Sequence, residues 1–188
     1  MKMKSAAILL PLLTCMLFLG GCVGAVNITS PDQIDPDESL VIVKIVRGDF
    51  HAPRPLLAPI GEMYPARKKL ELPDSSSSGY YICEAVKPGV YTLCTYEYDA
   101  PSDRYRRENM LFFTVPGGAL IDLGELRINK SGRTRGRSYR GEFYETAPYR
   151  FSLRELAGRN NLSCLSAHHP EVFSQFSGKA HHPEITRY

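Results

Sequence analysis

Apolar positions gather in short runs separated by proline, glycine and charged residues. The run Leu40-Val41-Ile42-Val43-Lys44-Ile45-Val46 is β-branched and apolar on both faces, the pattern of a central strand covered on both sides. Residues 47–62 carry Pro53, Pro55, Pro59 and Gly61 and read as loop or irregular edge segment, because proline cannot donate to a central ladder. A short strand is predicted at 68–72, before the flexible turn Ser75-Ser76-Ser77-Ser78-Gly79. Residues 80–86 and 90–98 read as strands joined in a hairpin at Lys87-Pro88-Gly89. A second hairpin is predicted from 110–115 and 119–128 around Pro116-Gly117-Gly118, and a last strand from 137–144. Seven or so short strands at this spacing predict a mainly β chain, a two-layer antiparallel β-sandwich over residues 40–145.

Beyond Tyr144 the period changes. Ser152-Leu153-Arg154-Glu155 has the spacing of a capping box, and Leu153, Leu156, Leu162 and Leu165 would line one face of a short helix. A second helix is predicted from about Ser166, with Pro170 in its first turn and Gly178 as its stop. Residues 146–178 are therefore expected to be a helical extension lying as a lid on the sandwich, and residues 179–188 a mobile polar tail.

The N-terminal run differs from all of these. Lys2 and Lys4 precede an apolar stretch from Ala6 to Leu19, too short for a bilayer-spanning helix and broken by Pro11. Leu19-Gly20-Gly21-Cys22 resembles the bacterial lipobox. That resemblance implies a signal peptide at residues 1–21, cleavage before Cys22, and acylation of Cys22 as a membrane anchor. Val23 follows, where an Asp would resemble an inner-membrane retention signal, so the expected location is the outer membrane, facing the periplasm. Residues 22–39 are polar, with Ser30-Pro31-Asp32 and Asp35-Pro36-Asp37, and read as a flexible tether.

Charge and cysteine content take their meaning from that compartment. The chain carries 23 Lys and Arg against 20 Asp and Glu, and Lys2 and Lys4 leave with the signal, so the remainder is nearly neutral. A neutral total gives no reason to expect a general polyanion binder, and nucleic acid is a poor partner for an exported protein. With Cys15 removed and Cys22 acylated, Cys83, Cys94 and Cys164 remain in an oxidising space. Cys83 and Cys94 are symmetric about Pro88-Gly89, and a simple hairpin would set them opposite each other as a cross-strand disulfide. The alternatives are two buried apolar thiols, or a bulge that turns them to opposite faces. Cys164 is then free or competes for one of them.

The stretch from Gly79 to Leu93, with Lys87-Pro88-Gly89-Val90-Tyr91-Thr92-Leu93, resembles the strand-Pro-Gly-x-Tyr-x-Leu signature of transthyretin-like, carboxypeptidase-regulatory-like β-sandwiches. Phe112-Phe113-Thr114-Val115-Pro116-Gly117-Gly118 and Ile121-Asp122-Leu123-Gly124-Glu125-Leu126 are similar to the closing hairpin of small bacterial lipoproteins with that fold. The resemblance spans roughly Leu40 to Ile128 and implies that Tyr91 and Leu93 point inward, which turns Cys94 outward. It carries no catalytic residues.

Two constellations are candidates for binding. Ala167-His168-His169-Pro170-Glu171 is repeated as Ala180-His181-His182-Pro183-Glu184, and these imidazoles suit zinc, copper or nickel, though adjacent histidines do not easily face one ion. The Gly-rich run Lys130 to Arg137 with Arg140 places Arg133, Arg135, Arg137 and Arg140 where they could hold phosphate or carboxylate groups, or simply solvate a hairpin tip. No Gly-x-Ser-x-Gly elbow, His-Glu-x-x-His or phosphate-cradling loop occurs, and Cys164 with His168 lacks a third orienting group. The expected function is a non-enzymatic, cofactor-free envelope lipoprotein, an interaction or structural module with an envelope protein partner. The alternative is a small-ligand or metal-ion-binding lipoprotein that uses the histidine repeat or the arginine loop.

Overall fold

The computed structural model describes residues 26–48, 55–60, 67–73, 79–95, 110–130, 134–137, 143–146, 149–154 and 160–187. The lipobox and Cys22 lie outside them.

The order of elements is β1 (Val26–Asn27), a 3-10 turn (Pro31–Gln33), β2 (Ser39–Arg47), β3 (Pro55–Pro59), β4 (Lys68–Lys69), β5 (Gly79–Val86), β6 (Gly89–Thr95), β7 (Leu111–Val115) and β8 (Leu120–Lys130). There follow β9 (Thr134–Arg137), β10 (Phe143–Thr146), β11 (Tyr149–Arg154), α1 (Asn160–His168), α2 (Pro170–Gln175), β12 (Ala180–His181) and β13 (Thr186–Arg187). The first sheet runs β1-β4-β5-β2-β8-β11, with β12 also on β8; the second runs β13-β7-β6-β3; β9 and β10 pair as a separate ribbon. The chain is mainly β, as its runs predict, with two sheets facing one another across a shared core.

Alternation along β2 explains its unbroken apolar run. Val41, Val43 and Ile45 enter the core between the sheets, against Leu57, Leu93, Phe113 and Val115 of the second sheet. Leu40 and Ile42 enter a second core on the opposite face, under Leu162 and Leu165 of α1 and Val172 and Phe176 of α2. The helices cover the outer face of the first sheet as a third layer.

Both predicted hairpins are corners between sheets. β5 pairs with β2 and β4, whereas β6 pairs with β3 and β7; β7 lies in the second sheet and β8 in the first. A two-residue hairpin needs a residue at positive φ, and Gly89 is not one of the described glycines with positive φ. At the second corner Gly118 has φ 65° and donates its amide to the Asp37 carbonyl at 3.2 Å, while Ser39 Oγ accepts the Ala119 amide at 2.9 Å. The corner is thereby fixed to the start of β2. β8 then runs parallel to β2, so the sheet is mixed where an antiparallel one was expected.

Residues 47–62 contain the edge strand β3, with a proline at each end, in keeping with the edge reading. Three other expectations change. Ser152-Leu153-Arg154 closes β11 and pairs with β8 in place of starting a helix, because the open edge of β8 supplies a ladder along its whole C-terminal half. The N-terminal tether is docked from Val26 onward: its first two described residues pair with Lys68 and Lys69, and Ile28 and Ile34 are buried. The tail is docked as well. β12 pairs parallel with Leu120 and Ile121 of the first sheet, β13 pairs with Leu111 and Phe112 of the second, and Ile185 between them packs on the inter-sheet core. The last residues thus strap the two sheets together along the β7–β8 edge. Among the described residues no helix is long and apolar enough to cross a membrane.

Candidate functional site

The sequence candidates are dispersed by the fold. Arg133 and Arg140 lie outside the described residues. Arg135 and Arg137 lie on β9, where their register partners on β10 are Glu145 and Phe143.

The histidine repeat is divided between two anchoring points. His169 precedes α2 and its Nε2 lies 2.7 Å from the Glu71 carbonyl oxygen; His182 Nδ1 lies 3.0 Å from the Asp122 carbonyl oxygen. The second histidine of each copy therefore fastens its segment to main chain, His169 at Glu71 just past β4 and His182 at Asp122 in β8, and His168 and His181 are exposed. Among the described residues no three His, Cys, Asp or Glu side chains come together as a metal-binding group. Local sequence could show that the motif repeats. It could not show that each copy meets a different carbonyl.

The Cys83–Cys94 bridge is not formed, and all three described cysteines are free thiols. Cys83 projects from the first sheet into the core beneath the helices. Tyr91 and Leu93 occupy the inter-sheet core, as the family resemblance implies, so Cys94 projects from the far face of the second sheet. The inter-sheet core separates the two thiols, and packed sheets stand ~10 Å apart, beyond the ~7 Å that a disulfide spans between Cα atoms. Burial pushes the Cys94 thiol up to about 11, and a bond to the Leu56 carbonyl at 3.8 Å is its polar contact.

What the structure does assemble is a cleft at the sandwich edge away from the strap. It has a volume of about 720 Å3 and opens between the β4–β5 side of the first sheet and the β3–β6 side of the second. Leu57 and Tyr91 line its inner wall. Val26, Ile60 and Val90, exposed by 56%, 56% and 47%, are the large apolar residues exposed among the described ones, and all three line this cleft. Three apolar residues from distant parts of the chain thus border one opening: the β1–β4 pair brings Val26 to it, and the Ile60 amide bonds the Val90 carbonyl at 3.0 Å.

Charge lines the same opening. Lys68 Nζ bonds Glu38 Oε2 at 2.8 Å and lies 3.4 Å from Asp35 Oδ2; the hydrogen bond to Glu38, aided by both carboxylates' charge, holds the ammonium above its ordinary range. Arg67 reaches from the rim to Glu84, Nη1 to Oε1 at 3.4 Å. Glu84 shares its strand face with Ile82 and so points between the sheets. Burial pushes its carboxyl up, with Arg67 and Lys69 opposing the shift. Arg67 Nη2 and Glu84 Oε2 are buried without a hydrogen-bond partner among the described residues. The sequence signal for this pair is a glutamate at an inward position of a buried strand. An arginine from outside that strand is what makes it tolerable.

A buried network of a different kind holds α1 in place. Gly124, at φ 77°, forms a bulge in β8 where the β2 register shifts. Asn161 Nδ2 donates to Asp122 Oδ1 at 2.7 Å and to the Gly124 carbonyl at 2.8 Å, and the Gly124 amide donates to Asp122 Oδ1 at 2.9 Å. The Asn161 amide nitrogen, Asp122 Oδ1 and the Gly124 backbone are thus tied together as an anchor, while Asn161 Oδ1 is buried without a hydrogen-bond partner among the described residues.

Compared with known proteins, the chain matches no protein-family profile, no curated protein and no solved structure.

Proposed function

We propose that this chain is a bacterial envelope lipoprotein, acylated at Cys22, whose transthyretin-like sandwich acts as a non-enzymatic interaction module and binds a protein partner through the open-edge cleft. That the exposed apolar residues Val26, Ile60 and Val90 all border this cleft carries the proposal, since exposed apolar residues along one opening favour a partner that covers them. The inward Tyr91 and Leu93 of the Pro-Gly-x-Tyr-x-Leu stretch support the family reading. The lipobox resemblance supports the anchor, and Val23 the outer membrane with the domain in the periplasm.

Anchor and cleft belong together. With Cys22 acylated, four residues of chain, at most ~14 Å when extended, separate the lipid from Val26 at the cleft rim. A partner reaching the cleft therefore sits close to the bilayer surface.

The experiment combines both halves. Cys22→Ser is expected to lose fatty-acid labelling and leave the membrane fraction. Ile60→Glu with Val90→Glu is expected to retain labelling and the folded thermal transition while losing the cross-linked envelope species seen with the unaltered chain. Unchanged cross-linking in the double variant overturns the cleft assignment; unchanged membrane retention of Cys22→Ser overturns the anchor.

A further inference from the structure

We propose that Cys83 and Cys164 are a disulfide pair that fastens α1 to β5 once the chain meets an oxidising environment. The two residues belong to one core, Cys83 as a fully buried member and Cys164 packed against it. The path of α1 explains the proximity. Asn161 holds one end of the helix over β8 through Asp122 and Gly124, and His169 holds the other through the Glu71 carbonyl. Glu71 follows Leu70, whose amide bonds the Cys83 carbonyl at 2.9 Å. From Asn161 to His169 the helix advances ~12 Å, close to the ~14 Å across three strand spacings from β8 over β2 and β5 to β4. Cys164 lies between these anchors and packs against the core that contains Cys83 and its register partner Ile42 of β2.

The other pairings are closed off by position. Cys94 is on the far face of the second sheet, with the inter-sheet core between it and both of the other thiols. The odd number of thiols thus resolves into one pair beneath the helices and one buried free thiol.

Oxidation by a small-molecule disulfide such as oxidised glutathione proceeds in two exchanges. The partly exposed Cys164 loses its proton to solvent, its sulfur attacks the glutathione disulfide, and one glutathione thiolate leaves. The Cys83 thiol then loses its proton, its sulfur attacks Cys164 Sγ, and the second glutathione thiolate leaves. The protein is oxidised by two electrons and one glutathione disulfide is reduced to two thiols. Burial raises the Cys83 thiol strongly, and its Glu84 and Cys164 neighbours add to the shift, so the second exchange is the slow one. Inside a cell the oxidant depends on the export reading above; the pairing itself does not.

The test treats the full chain, solubilised from membranes in detergent, with oxidised glutathione under native conditions, followed by alkylation and non-reducing peptide mapping. Expected are a linked peptide pair containing Cys83 and Cys164, alkylated Cys94, and a thermal midpoint raised by roughly 5–10 °C. Cys94→Ser should leave the linkage and the shift intact, and Cys164→Ser should abolish both. Alkylation of Cys83 and Cys164 after oxidation, a Cys83–Cys94 link, or two chains joined through Cys164 would each overturn the proposal. None of these outcomes depends on membrane retention or on cross-linking to a partner.

Discussion

Glu84 and Arg67 illustrate how one residue's environment sets the conditions under which the protein is stable. Glu84 is 92% covered and faces apolar neighbours between the sheets, so its ionised form is tolerated through the Arg67 guanidinium. A carboxyl whose pKa is higher in the folded than in the unfolded chain contributes fully below the unfolded value, and that contribution is lost as pH rises through the folded value. Removing the guanidinium carries the folded value higher still. Arg67→Met is therefore expected to destabilise the chain by about 3 kcal/mol at pH 7, and by less at pH 5, because lower pH favours the neutral carboxyl. Urea unfolding at the two pH values measures the difference, and an equal loss at both would show that Arg67 contributes through packing alone.

The Asn161 anchor makes a second expectation at the same scale. Asn161→Leu conserves volume but leaves Asp122 and the Gly124 carbonyl without its amide, at a cost of about 1–3 kcal/mol. Gly124→Val forces a β-branched residue to φ 77° and should cost about 1–2 kcal/mol. Both are read from chemical denaturation midpoints, and the pair should be less than additive because they disturb one bulge.

Elements were legible in proportion to how local their causes are. β2 announced itself, because burial on both faces writes an unbroken apolar run. β3 was half legible: two prolines exclude a central strand and permit an edge. The Ile60 amide faces β6, so by alternation Leu56 and Ala58 face it too, and Pro55 and Pro59 direct their missing N–H groups to the free edge, where they discourage pairing with another chain. β11 was not legible, since the capping-box spacing of Ser152 to Glu155 competes with a ladder whose other half lies on β8. Pairings across the corners were hidden for a similar reason. The residues around Pro88 and Pro116 specify where the strands end, and the choice between hairpin and corner is made by Asp37, Ser39 and the two cores. The cleft was invisible in the sequence because Val26, Ile60 and Val90 are ordinary exposed residues until the sheets bring them together.

For the molecule as a whole, the two open sides of the sandwich are treated differently. One is left as the cleft; the other is closed by residues 180–187, which add strands to both sheets and bury part of Ile185. Ending the chain after Lys179 is expected to lower stability by about 2 kcal/mol, or roughly 4–8 °C in thermal midpoint, and to increase self-association through the uncovered edges of β7 and β8. Calorimetry with light scattering tests both. A truncated chain that melts unchanged and stays monodisperse would show that the strap is ornamental to the fold.

The strap also imposes an order of events. β8 is synthesised about sixty residues before the short strand that flanks its start, and β7 waits still longer for β13. While the chain is being made, the two sheets can collapse on their core yet stay unlatched, with one side of each sheet ready to accept a foreign strand. β12 and β13 then act as a timer for maturity: the edges of β7 and β8 are safe from neighbouring molecules only after these two strands have arrived.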